Sequence, residues 1–267
     1  VRRYAGLWWV MLRASVSAQM QYRVNFVVSV LTGLIYSFVG LALVWLITSR
    51  FQTIGGWTFA QIAFVYGLRQ TVHGVWVLCT GELIAMPHLI REGRLDRYLV
   101  RPVSPLFQVM TKRIILAATG DVTAGIGMLL AGAAAAGISW TAWNVLFVLL
   151  TIAGGVLVQG SFYLGLAALS IRVVELRSLI FVVGDLFAAF GGYPMHAFTR
   201  PAQVVFTFVL PIAFVAYLPA AVLLGETGSL TMPAFLAYGA PVVGGLLFGG
   251  ALLIWRNCLN HYQGAGH

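Results

Sequence analysis

Four charged side chains lie where a bilayer would tolerate them least. Arg69, Glu82, Asp121 and Asp185 fall within or at the ends of long apolar runs. A charge at membrane depth must pair, face the protein interior or line a water path. Arg69 is the deepest, about 16 Å along its helix from Thr58 at ~1.5 Å per residue. His73 shares its face, and Glu82 lies about 220° round at 100° per residue, so Arg69 and Glu82 cannot pair on one helix. Two chemistries fit: a structural pair between helices, Arg69 with Asp121, or a proton or substrate relay. Glu82 and Asp185 fall near span ends, where a solvated cap accounts for each.

Other chemistries lack their residues. There is no G-x-x-x-x-G-K-[ST] loop, and the single lysine, Lys112, follows Gln108-Val109-Met110-Thr111 with no glycine loop to cradle phosphate. His73, His88, His196, His261 and His267 include no i,i+4 pair for a zinc site. Gly160-Ser161 has no histidine near it in sequence to activate the hydroxyl. Cys79 and Cys258 fit neither a disulfide framework nor a metal spacing. Gly245-Leu246-Leu247-Phe248-Gly249 matches G-x-x-x-G and is expected to pack within the subunit, with a dimer contact as the alternative. No catalytic, cofactor or metal residue is assigned.

The elements that must position these side chains follow from composition. Hydrophobic residues make up 60% of the chain and charged residues 9%, against about 25% charged in soluble domains. That leaves too little polar surface to cover a soluble globule, so the bilayer is the expected solvent. The net charge of +9 does not point to nucleic acid, because the cations sit at the ends of apolar runs and not on a polar face. About 20 apolar residues are needed to cross the hydrocarbon core. Spans are expected over 24–49, 58–85, from just after Arg113 to about 137, over 145–171, from about 179, and over 234–255. Pro194, Pro201, Pro211 and Pro219 break the region that follows the fifth.

Charge sets the orientation. With six spans and the N-terminus inside, the inner side carries Arg2, Arg3, Arg13, Arg23, Arg91, Arg94, Arg97, Arg101, Lys112, Arg113, Arg172, Arg177 and Arg256. The outside carries Arg50 and Arg200. A seventh span would move Arg256 outside, so the positive-inside rule favours six. Residues 193–224 are then a re-entrant, proline-broken helical hairpin shielded by protein. Trp45, Trp57, Trp140 and Trp143 would mark the outer interface, and Trp8, Trp9 and Trp255 the inner one. Residues 1–22 could be taken for a signal peptide, but Arg13 ends the apolar stretch after about nine residues. On a wheel, Arg2, Arg3, Arg13, Ser17 and Gln21 share one face and Tyr4, Trp8, Met11 and Leu12 another. Val10 sits on the wrong side. This is an amphipathic helix lying in the interface. The transmembrane domain runs 23–260 and a cytoplasmic tail 261–267.

The loop after the second span, 86–105, is too polar to serve orientation alone. It carries Arg91, Glu92, Arg94, Asp96, Arg97 and Arg101, with Leu95, Tyr98 and Leu99 within a helical turn of one another. Pro102 and Pro105 stop the helix. A short surface helix with both signs of charge and a Leu95–Leu99 ridge suits docking to a soluble protein. Contact with anionic lipid is the alternative.

These residues resemble the membrane subunit of ABC type-2 exporters. Residues 93–107, Gly-Arg-Leu-Asp-Arg-Tyr-Leu-Val-Arg-Pro-Val-Ser-Pro-Leu-Phe, resemble the G-x-L-D-x-x-L-x-R-P-x-x-P-L-F loop of a bacterial subfamily of these permeases. Tyr193-Pro194, the run 208–214 around Pro211, and Tyr217-Leu218-Pro219-Ala220 resemble its hairpin; Ile54-Gly55-Gly56-Trp57 resembles its first outer loop. The resemblance implies an all-α polytopic protein of the bacterial cytoplasmic membrane: an interfacial elbow helix, six spans, and a re-entrant hairpin before the last. Both termini would be cytoplasmic. It implies a half-transporter, paired with a second copy or a related permease and with two copies of a separate ATPase that binds ATP and Mg. Arg91–Arg101 would be the coupling helix. The first, second and fifth spans would line the pathway, including Asn25, Ser29, Tyr36, Phe187 and Phe190. An amphipathic or lipid-like cargo is expected. An ATP-independent carrier, or a membrane enzyme acting on lipid through Asp121, Glu82 or a histidine, is the alternative.

Overall fold

Apolar helices account for nearly all of the computed structural model, which describes residues 2–173, 176–229 and 233–262. Among these residues there is no β-strand; an isolated bridge joins Ile54 and Trp57. The expected tail 261–267 lies mostly outside the described residues. Helix α1 (Arg2–Met20) leads through a short turn into α2 (Arg23–Phe51), and α3 (Phe59–Thr80) follows. A 3-10 turn, Gly81–Ala85, passes into α4 (Met86–Arg91), α5 (Asp96–Leu99) and α6 (Pro105–Lys112). Then come α7 (Thr119–Ala135), α8 (Ala142–Leu169) and α9 (Arg177–Phe190). The proline-broken region holds α10 (Arg200–Val204) and α11 (Tyr217–Leu223), and α12 (Ala240–Asn260) closes the fold.

Among the described residues four helices are long and apolar enough to cross a membrane: Arg23–Phe51, Leu116–Ala135, Ala142–Leu169 and Ala240–Asn260. The segments Arg200–Val209 and Ile212–Leu223 form a further pair bent by 74°. The expected second and fifth spans differ from these four for physical reasons. The first of the two, α3, has 22 residues, about 33 Å at 1.5 Å per residue, but carries Gln61, Arg69, Gln70, Thr71 and His73. It can do so because neighbouring helices bury most of it. The other, α9, has 14 residues, about 21 Å.

Glycines set the closest packing. A Cβ at Gly132 of α7 would lie 2.5 Å from the Phe64 nitrogen, and one at Gly125 2.5 Å from the Thr71 nitrogen. Reciprocally, Gly74 of α3 abuts Val122, and Gly67 abuts the Leu129 backbone. The partners run in opposite order, so α3 and α7 are antiparallel with backbones in contact. Seven residues separate the two glycines on each helix, so both sit on one seam. Helix α2 joins through Gly33, beside Asp121, and Gly40, beside the Tyr66 hydroxyl.

By contrast, α8 and α12 run parallel. Gly154 meets Ala240 and Gly244, Gly160 meets Phe248, and Leu164, Ala167 and Ala168 cluster with Ala251 and Trp255. The G-x-x-x-G pair is not the within-subunit seam that was expected. Gly245 and Gly249 face open space, and Gly244 makes the contact.

The two ends of the bundle have different contents. At one end Gly55 (φ 59°) and Gly56 (φ 84°) turn the chain between α2 and α3, a left-handed backbone that glycine adopts without strain. Gly55 packs on His196 and Ala197. Trp57 packs on Tyr217 with ring centroids 5.5 Å apart, and Gln61 donates to Glu226 at 2.9 Å. At the other end Leu83, Met86, Leu89, Leu95 and Val109 form a core with Trp255 and Cys258. Trp57 and Trp255 therefore do not mark interfaces as expected, because both are buried between elements; Trp8, Trp9, Trp45, Trp140 and Trp143 are exposed. In the proline-broken region the first limb ends in a π turn, Val205–Val209. Pro211 cannot donate a helical hydrogen bond, and the run that follows, from Ile212 to Leu218, is buried.

Candidate functional site

The loop between α4 and α6 is built from inside outward. Gly93 (φ 64°) reverses the chain after α4. Leu95 is 0% exposed and anchors the loop on the bundle end. The Gln108 amide of α6 donates to the carbonyls of Tyr98 (2.9 Å) and Val103 (2.8 Å), which clamps the far side. What remains outside is Arg91, Glu92, Arg94, Asp96, Arg97, Leu99, Val100 and Arg101, with Tyr98 half-buried. Glu92 bridges Arg94 (2.7 Å) and His88 (3.0 Å). The expected Leu95–Leu99 ridge is therefore corrected. The helix is only Asp96–Leu99, Leu95 points into the core, and the outward apolar pair is Leu99 with Val100, which is 84% exposed.

The loop connects to the end of α3 by charge. Glu82, in the 3-10 turn, accepts from Lys112 at 2.8 Å. Glu82 is thus half of an ion pair and not merely a solvated cap, and Lys112 ties the end of α6 to the end of α3.

Deep in the bundle the expected direct pair of Arg69 with Asp121 is replaced by a bridge. Arg69 Nη1 donates to Gln70 Oε1 at 2.7 Å. Gln70 Nε2 donates to Asp121 Oδ1 (3.0 Å) and to Ser37 Oγ (2.9 Å). One neutral amide therefore joins a buried cation on α3 to an acid on α7 and a hydroxyl on α2. Its signal in the sequence was a second polar residue beside Arg69 in an otherwise apolar run. His73 lies elsewhere, with Nδ1 2.9 Å from Gln159 Nε2 of α8. Asp185 is exposed on α9.

The proposed pathway residues divide by exposure. Asn25 and Tyr36 of α2 are exposed and Ser29 is half-buried. Phe187 meets Phe162 edge-on at 5.6 Å, and Phe190 stacks on Phe206 at 4.6 Å, so both ring faces are engaged within the chain.

Sequence reasoning missed how α1 docks. Ile114 N–H donates to Ser15 Oγ (3.0 Å), Leu116 N–H donates to Gln19 Oε1 (3.1 Å), and the Gln19 amide donates to the Ile114 carbonyl. These bonds help to satisfy the backbone where the chain is non-helical between α6 and α7, above all the Ile114 N–H; Leu116 N–H also donates to the Ile114 carbonyl at 3.1 Å. Met11, Ser15 and Gln19 recur every four residues and form the protein-facing stripe. Arg13, Ser17, Gln21 and Trp8 stay exposed; the side chains of Arg2, Arg3 and Tyr4 lie outside the described residues.

A family model described as ABC-2 family transporter protein matches residues 34–266. No curated protein and no solved structure matches the chain.

Proposed function

Because the chain belongs to the ABC-2 transporter family, a family of multi-pass membrane proteins, we propose that it is the permease subunit of an ATP-binding cassette exporter. ATP and Mg are bound by a separate ATPase, two copies of which dock on a pair of permeases, either two copies of this chain or this chain with a related one. The observation that carries this reading is the loop Arg91–Arg101. Its outer face bears Arg94, Asp96, Arg97, Leu99, Val100 and Arg101, while Leu95 and Gln108 hold its inner face to the bundle. A rigidly seated, mixed-charge knob suits docking to a soluble partner better than a floppy orientation signal would.

The parallel run of α8 and α12 supports six crossings. The chain leaves the loop end after α8 and by His196 touches Gly55 at the other end, which supports one crossing over residues 177–196. The bent segment begins there and ends at Glu226, beside Gln61, which supports a re-entrant hairpin. In this arrangement the membrane is the bacterial cytoplasmic membrane, both termini and the loop are inside, and α1 is the interfacial elbow.

Closure of the ATPase dimer on ATP moves the loop. Glu82–Lys112 and the α3–α7 glycine seam pass that motion to the spans as a rigid unit. The spans then rock to expose an amphipathic or lipid-like cargo to the outside, past α2 and α9, whose Asn25, Ser29, Tyr36, Phe187 and Phe190 are the candidate lining. Affinity purification from the native membrane tests the reading. A stoichiometric ATPase should copurify, and Asp96→Ala/Leu99→Ala/Val100→Asp should release it while leaving the chain folded. Transport by the purified chain alone would instead establish an ATP-independent carrier.

A further inference from the structure

Beside the end of α3 lies a cavity of about 560 Å³, within the range of about 300–1,000 Å³ that small-ligand sites occupy. Four segments enclose it: the Gly81–Ala85 turn, α4, Ile115 of the linker between α6 and α7, and the first turns of α9. Its floor is apolar, made by Ile84, Ile115 and Ile180 with the exposed Phe181 at its edge; Glu82 is buried in its wall, and its rim carries the exposed His88, Arg91 and Arg177.

The charge on that rim is one-sided. Glu82 is already neutralised by Lys112 at 2.8 Å. His88 stands 3.0 Å from Glu92 outside the cavity. Arg91 and Arg177 remain, both exposed, and among the described residues no acid pairs with either. The Arg177 guanidinium lies 5.7 Å over the Phe181 ring. That contact holds the planar group at the edge of the floor and leaves its N–H donors available.

Two guanidinium forks above an apolar floor match a ligand with an oxyanion head and a hydrocarbon tail. We propose that this cavity binds an anionic amphiphile of the inner leaflet, with its phosphate or carboxylate on Arg91 and Arg177 and its chain along Ile180 and Phe181. The proposal rests on the permease reading, which sets this corner at the inner leaflet, and it narrows the substrate class of that reading. Since Arg91 is the first residue of the docking loop and Arg177 the first of α9, occupancy touches both the ATPase side and a crossing segment.

The test uses the full chain in phosphatidylcholine nanodiscs with increasing phosphatidylglycerol, reading phosphatidylglycerol retained per chain by native mass spectrometry. Arg91→Gln/Arg177→Gln should weaken retention about 30-fold, equivalent to about 2 kcal/mol at 1.4 kcal/mol per tenfold. The control Arg172→Gln/Arg256→Gln removes two exposed inner cations outside both the cavity and the interfacial helix α1 and should leave retention unchanged. Equal losses in both, or none in the first, would overturn the site. Displacement by inorganic phosphate at the same concentration as by the lipid would show that the tail is not recognised and would overturn the amphiphile. Binding is read on the chain without its ATPase, so failure here leaves the permease reading standing, and failure of ATPase copurification leaves this site standing.

Discussion

Gln70 is the side chain through which Arg69 reaches Asp121 and Ser37, while Ser37 donates to Asp121 only at 3.5 Å, and magnitudes separate their roles. A neutral hydrogen bond inside a membrane bundle contributes about 0.6 kcal/mol on average. Stripping the partner from a buried charge costs about 3–5 kcal/mol. Ser37→Ala should therefore cost about 0.6 kcal/mol, and Gln70→Leu at least about 3 kcal/mol, in chemical denaturation of the detergent-solubilised chain. If Gln70→Leu were as mild as Ser37→Ala, the bridge would not be what satisfies Arg69 and Asp121. At this scale the sequence was partly legible. Arg69 and Asp121 stood out because charge in an apolar run is conspicuous. Gln70 did not, because an amide is read as a bridge only when both neighbours are known. Leu95 and Trp255 were read outward for the same reason: periodicity places a residue on a face, and the packed partner decides whether that face is covered.

The pairing of α3 with α7 turns on which glycines lack room. Gly132→Ala would bring a Cβ to 2.5 Å from the Phe64 nitrogen. A backbone atom cannot step aside, so the helices must part along the seam. Gly127, on the same helix, has nothing within 4 Å; Gly127→Ala should gain about 0.5–1 kcal/mol from helix propensity. Opposite signs are thus expected for one substitution five residues apart, and thermal unfolding in detergent compares them. Destabilisation of equal size at both would refute the seam. The loop has its own element-level test. Gln108→Leu removes two hydrogen bonds of about 1 kcal/mol each, so trypsin cleavage after Arg94 and Arg97 should quicken roughly ten- to thirtyfold. An unchanged rate would mean Leu95 alone holds the loop. The bounds of α2 and α8 and the break at Pro211 were legible because hydropathy and proline act locally. The seam was not, since 30 glycines look alike until each one's neighbour is known.

At the scale of the molecule, the question is how many times the chain crosses. The parallel α8 and α12 require the chain between them to return to the end where α8 began. His196 and Glu226 both lie at that end, against Gly55 and Gln61. A hairpin that crossed fully would carry Glu226 to the loop end, about 30 Å away across the hydrocarbon core, and out of reach of Gln61. Single cysteines in a Cys79→Ala/Cys258→Ala background test this in whole cells with a membrane-impermeant maleimide. Gln52→Cys and Ser139→Cys should label from outside. Arg94→Cys and His261→Cys should label only after permeabilisation. Outside labelling of His261→Cys with Arg94→Cys still protected would mean seven crossings. In that case α12 could not run parallel to α8, and Trp255 could not share a core with the docking loop. The loop's seat, the hairpin and the sidedness of the cationic cavity stand or fall on this one parity.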